Sequence, residues 1–96
     1  MANHLTPLEV AEALIGRPEV IAGVLRLDPK APYQWRYERP GRAAGDFPKV
    51  SYIRALLAHA EVNGLGLTLS HLIWGAEAAE IDEILSARVP PSLAAE

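Results

Sequence analysis

The chain has no cysteine. That excludes a disulfide framework and any thiolate metal site. It also has no long apolar run: nothing approaches the roughly 20 residues that span a bilayer. The first ten residues, MANHLTPLEV, lack the basic start and apolar stretch of a secretory signal. A cytoplasmic location is the expectation from these absences. An excess of positive charge is missing too, since 12 acidic residues face 9 basic ones for a net charge of −3. A uniformly basic polyanion binder is thereby excluded, though a local basic region is not. Catalytic constellations are equally absent. His4, His59 and His71 have no metal-ligand spacing with one another or with paired carboxylates. Gly64-Leu65-Gly66 lacks the Lys and Ser/Thr of a phosphate loop. No nucleophile–base pair can be assembled. No metal, no cofactor and no small-molecule substrate are expected, and an enzyme is the least favoured class.

What is present is one domain's worth of chain, 96 residues, half of them hydrophobic. That is enough for a single modest core. Charge is unevenly spread. Residues 26–54 carry seven basic side chains (Arg26, Lys30, Arg36, Arg39, Arg42, Lys49, Arg54) against Asp28, Glu38 and Asp46, a local +4. Residues 55–96 carry six acids against Arg88, a local −5, and residues 1–25 sum to −2. Screening at physiological salt acts over about 8 Å. A basic middle can therefore attract phosphates on a chain that is acidic overall.

Prolines and glycines divide the chain into short helices, because Pro fits the first helical turn and Gly the position just past the last. Thr6-Pro7-Leu8-Glu9 has the pattern of a capping box with Pro at the first helical position. It predicts a first helix with Val10, Ala13, Leu14 and Ile15 on its apolar face and Gly16 at its end. A second helix starts at Pro18 and buries Ile21, Val24 and Leu25, with the small Ala22 inside. Asp28-Pro29 predicts the cap and first residue of a short third helix that Pro40-Gly41 ends. RPGRAAGDF, 39–47, forms a loop. Pro48 opens a fourth helix with Val50, Ile53, Leu57 and Ala60 on one face and Ser51, Arg54, Ala58 and Glu61 on the other. Asn63-Gly64 closes it, with Leu65 as the cap contact. A fifth helix from Thr68 or Ser70 carries Leu69, Leu72, Ile73 and Trp74. A sixth, over 77–88, places Ile81, Ile84 and Leu85 on one side and leaves Glu77, Glu80, Asp82 and Glu83 as a solvated face. Val89-Pro90-Pro91 stops it. No segment has a clean strand pattern. The expected fold is all-α, a small bundle of five or six short helices in a single domain over 1–96. Residues 6–63 form its core, 64–89 its C-terminal helices and 90–96 a loose tail.

The block IAGVLRLDPKAPYQWR, residues 21–36, resembles the helix-turn-helix of Cro/CI-type phage and prophage regulators, especially their YdaS-like branch. The resemblance rests on Ala22 inside the second helix, Leu27 at the turn and Gln34-Trp35-Arg36 at the end of the third helix. Gly45 to Pro48 resembles the Gly-x-Ile/Val-Pro step into the next helix. It covers about residues 8–60. Ala22 lets two helices cross closely, Leu27 fills the angle between them, and Trp35 anchors the third helix inward. Two positions depart from the pattern. Arg26 stands where the turn usually holds glycine, and Pro32 where a core aliphatic residue is usual.

The resemblance implies a transcription regulator that binds double-stranded DNA, with the third helix in the major groove. Lys30, Tyr33, Gln34 and Tyr37 are then the candidate base contacts, and Arg36, Arg39, Arg42 and Lys49 the candidate phosphate contacts. A homodimer is expected on a two-fold site. Leu72, Trp74, Ile81, Ile84 and Leu85 form the expected dimer or partner surface, being more apolar surface than a small core needs. Two alternatives remain open. One is an adaptor or co-activator that contacts a basic protein partner through the acidic C-terminal helices. The other is the antitoxin of a toxin–antitoxin pair.

Overall fold

Thr6 starts the first helix as its pattern requires. In a computed structural model, which describes residues 3–88, its hydroxyl accepts the Glu9 N–H at 3.2 Å. The Glu9 carboxylate accepts the Thr6 N–H at 2.9 Å. Two orphan donors of the helix end are thus satisfied reciprocally, an arrangement worth about 1 kcal/mol. Helix α1 runs Pro7–Leu14 and α2 runs Pro18–Leu25. A single turn, α3, covers Ala31–Gln34. It is followed by α4 (Val50–Asn63), α5 (Leu69–Trp74) and α6 (Ala78–Ala87). The fold is all-α among the described residues apart from one antiparallel pair. In it β1 (His4–Leu5) meets β2 (Ala76–Glu77), with Leu5 opposite Ala76. No helix among these residues is long and apolar enough to cross a membrane. The expected helix stop at 89–91 and the tail at 90–96 lie outside the described residues.

The core has two linked clusters. Leu8, Ala11, Ile21, Trp35, Ile53, Leu56 and Leu72 form the first, drawn from α1 to α5. Val10, Leu14, Ala76 and Ile81 form the second, which seats α6 on the other side of α1. Helix α1 is therefore the shared wall: Leu8 and Ala11 face one cluster, Val10 and Leu14 the other. The C-terminal helices complete the core instead of standing apart from it.

Several expectations need correction. Helix α4 starts at Val50 and not at Pro48, because Lys49 stays extended, at φ −140°, ψ 140°. Val50 is consequently 63% exposed, and Leu56 is fully buried in the core. The buried stripe is Ile53, Leu56 and Ala60, a helical spacing that fits the sequence as well as the stripe expected there. The pair β1–β2 was not expected, since two residues per strand leave no alternation to read. Leu72 and Ile81 are core residues, 1% and 2% exposed. They fill the two clusters and cannot belong to a dimer or partner surface. Ile84 is half-buried, while Trp74 and Leu85 are exposed. The acids expected to form a solvated face of the sixth helix are not simply solvated either, because Glu77, which lies in β2, and Glu80, in α6, each hold a histidine.

Candidate nucleic-acid interface

Helix α2 ends where Arg26 adopts φ 59°, ψ 44°, the only positive φ on a non-glycine residue among those described. Such a backbone costs an L-residue about 1–2 kcal/mol. The turn is fixed around it. Arg26 N–H donates to Gly23 O at 3.2 Å and Leu27 N–H to Ala22 O at 2.9 Å. Leu27 packs against the first core cluster, as expected of a residue filling the angle between two helices.

The segment after the turn differs from a full recognition helix. The Asp28 carboxylate accepts the Lys30 N–H at 2.8 Å. This local side-chain turn leaves Pro29 outside the helix. Helical geometry then lasts only from Ala31 to Gln34, so Asp28-Pro29 is not the cap and first residue. Hydrogen bonds from Tyr33 to Lys30, Trp35 to Pro32, Arg36 to Tyr33 and Tyr37 to Gln34 all reach back three residues. That tightly wound ladder suits a stretch in which Pro29 and Pro32 cannot donate. Pro32 is fully buried, taking the place of the aliphatic residue that the pattern leads one to expect.

Trp35 faces inward, 7% exposed. Its ring stacks on Tyr52 at 5.5 Å and meets Phe47 edge-on at 5.6 Å. The Trp35 carbonyl accepts the Gly45 N–H at 2.7 Å, and the Gly45 carbonyl accepts the Leu8 N–H at 2.9 Å. Gly45 sits at φ +85°, and a Cβ there would lie 2.4 Å from Thr6. Only glycine fits this junction of α1, α3 and the loop that follows.

The candidate contact residues gather around this anchored tryptophan, but several of their side chains already have partners. Tyr33 donates its phenol O–H to Glu19 at 2.6 Å. That hydrogen bond holds the Glu19 carboxyl below its ordinary range and raises the Tyr33 phenol. Arg36 pairs with Glu12 at 3.3 Å, and its guanidinium lies 4.9 Å over the Tyr33 ring. Gln34 accepts from Arg39 at 3.4 Å. Arg42 turns inward, donating to the Trp35 and Asp46 carbonyls at 3.4 and 3.2 Å, so its role is to brace the loop. Lys49 lies 5.6 Å from the Tyr52 ring. Lys30 and Tyr37 are exposed. Six of the seven basic residues from Arg26 to Arg54 form no ion pair with a carboxylate among the described residues; Arg36 is the exception. A cleft of about 320 Å³ opens beside Arg36, lined by Thr6, Glu9, Glu12 and Gly45 among others. Its Thr6 and Glu9 serve the helix cap, and its Glu12 and Arg36 neutralise each other.

No protein-family model, curated protein or solved structure matches this chain.

Two histidines hold the two ends of α5. His71, 3% exposed, accepts the Thr68 N–H at Nδ1, 3.0 Å away, while Thr68 Oγ1 accepts the His71 N–H. This is a capping box with imidazole in place of the usual carboxylate. Because Nδ1 accepts, the ring proton sits on Nε2, which donates to Glu80 at 2.6 Å. The signal was in the sequence as Thr68-x-x-His71. His4 faces two acceptors, the Glu77 carboxylate and the Trp74 carbonyl, both at 2.8 Å. Only the imidazolium can donate to both, and the Glu77 hydrogen bond, with that of Trp74, raises its pKa above 6.5. Among the described residues no group of three potential ligands could hold a metal.

Proposed function

We propose that this chain is a small, sequence-specific binder of double-stranded DNA, a transcription regulator that acts by occupying a promoter or recruiting to it. The observation that carries the proposal is the set of exposed cations without carboxylate partners, Arg26, Lys30, Arg39, Lys49 and Arg54, on the α2–turn–α3 unit and the segments after it. A guanidinium or ammonium with no carboxylate partner is available to a phosphate without first breaking an ion pair. In this proposal Lys30, Gln34 and Tyr37 reach base edges, and Arg39 and Lys49 hold phosphates. A homodimer on a two-fold operator, as in prophage regulators of the Cro/CI type, would place half-sites about 34–36 Å apart.

Selection of bound sequences from random duplex DNA, followed by titration between about 50 and 200 mM salt, tests the proposal. Affinity should fall steeply with salt. Gln34→Ala should lose about 1–3 kcal/mol of discrimination at one base position. Arg39→Ala should weaken all sequences alike and reduce the salt slope by about 1. Binding that is flat in salt, or absent for every duplex, rejects it.

A second proposal draws support from α5, whose outer side exposes Leu69, Ile73 and Trp74. Three large apolar side chains on one six-residue helix favour a protein contact there, either a second copy or a component of the transcription machinery.

A further inference from the structure

Two carboxylates face the part of α3 that DNA would have to approach. Glu19, in the first turn of α2, accepts the Tyr33 O–H at 2.6 Å. Glu12, on α1, pairs with Arg36 at 3.3 Å. The two contacts are linked, since the Arg36 guanidinium lies over the Tyr33 ring and Arg17 approaches Glu19 at 3.7 Å. The result is a continuous chain, Arg17–Glu19–Tyr33–Arg36–Glu12, across three helices. We propose that Glu19 and Glu12 are internal competitors of the DNA phosphates, holding Tyr33 and Arg36 in place and setting the affinity of the interface. This rests on the DNA-binding proposal above and adds the regulation of that same surface.

The chemistry supports competition more than simple bracing. A carboxylate and a phosphate oxygen are both anionic acceptors, and each suits the same guanidinium and phenol donors. The Tyr33 hydrogen bond favours the ionised form of Glu19. DNA must therefore either displace them or bear their repulsion. Their exposure sets the size of the effect. Glu19 is 41% exposed at its side chain and Glu12 22%, so solvent screens the Glu19 contact more than that of Glu12, and an exposed ion pair contributes little to folding. Removing one such charge about 6 Å from a phosphate should change affinity by roughly threefold. Removing both should change it by about tenfold.

The full chain, Glu19→Gln, Glu12→Gln, the double variant and Tyr33→Phe are titrated against the duplex selected by the wild type, at several salt concentrations, with thermal melts of each. The expected result is tighter binding by Glu19→Gln and Glu12→Gln, about tenfold for the double variant, with the gain shrinking as salt rises. Tyr33→Phe breaks the same hydrogen bond from the other side and should not tighten binding. If the two carboxylates only brace α3, both glutamine variants bind more weakly or melt lower, as Tyr33→Phe would, and the competition proposal is overturned. Wild-type binding with glutamine variants at or below its affinity overturns this proposal alone. A wild-type chain that binds no duplex overturns the DNA proposal and this one together.

Discussion

Helices α3 and α5 are both short, and each carries or adjoins one tryptophan, yet they are built in opposite senses. Trp35, at the end of α3, is turned into the core and 7% exposed, whereas Trp74 ends α5 at 75% exposed. Around Trp35 the outer positions are polar and basic. Around Trp74 they are largely apolar, and the one imidazole of α5 is turned inward, with His71 buried and bonded to Thr68 and Glu80. An inward aromatic ring anchors a four-residue turn that could not hold itself, leaving its outer side chains free of packing duties. A buried histidine anchors α5 instead, and its apolar side chains are left outside. The first arrangement suits a polyanion and the second an apolar partner.

The largest expected effect separates the two tryptophans directly. Trp35→Ala should cost about 3–5 kcal/mol in urea unfolding, the usual range for emptying an aromatic core site. Trp74→Ala should stay within about 0.5 kcal/mol. Comparable losses at both sites would mean that Trp74 is covered, by a second copy or otherwise.

Next in size is the anchor of α5. His71→Ala removes the acceptor for the Thr68 N–H and the donor to Glu80, and should cost about 1–3 kcal/mol. Glu80→Gln, with a side chain 54% exposed, should cost about 1 kcal/mol or less. Urea melts of the two variants check the ranking, and an equal loss would show that the hydrogen bond to Glu80, not the cap, holds α5.

The smallest effect is a pH dependence at His4. Its pKa is raised in the folded chain by Glu77 and the Trp74 carbonyl. Its contribution is therefore fully present below the unfolded value of about 6.5, and is lost as pH rises through the higher folded pKa. Melts across that window should show the wild type losing stability with rising pH relative to His4→Gln. Parallel curves would mean that His4 does not donate to both acceptors.

Much of this architecture can be read from the chain without coordinates. Thr6-x-x-Glu9 and Asn63-Gly64 signal helix ends through local hydrogen bonding and backbone freedom, and both act as their types require. The inward Trp35 and the left-handed turn at Arg26 match what the resemblance over residues 21–36 implies. Other features depend on groups far apart in sequence. Val50 and Leu56 sit on neighbouring stripes of α4, and packing against distant elements, α2 and α5, decides which is buried. Tyr33 meets Glu19 and Arg36 meets Glu12 across 14 and 24 residues, pairings that no local pattern encodes. Leu72 and Ile81 looked like surplus apolar surface because the clusters that need them, the first for Leu72 and the second for Ile81, are completed by residues far away in the chain.

The contrast between α3 and α5 is tested most directly by mapping amide and side-chain NMR shifts on the full chain as selected duplex DNA is added. Shifts should concentrate at Arg26, Lys30, Gln34, Tyr37, Arg39 and Lys49, leaving Leu69, Ile73, Trp74 and the outer face of α6 unmoved at low protein concentration. Shifts centred on α5 and α6, or none around Trp35, would contradict the assignment of the basic half as the DNA-facing surface.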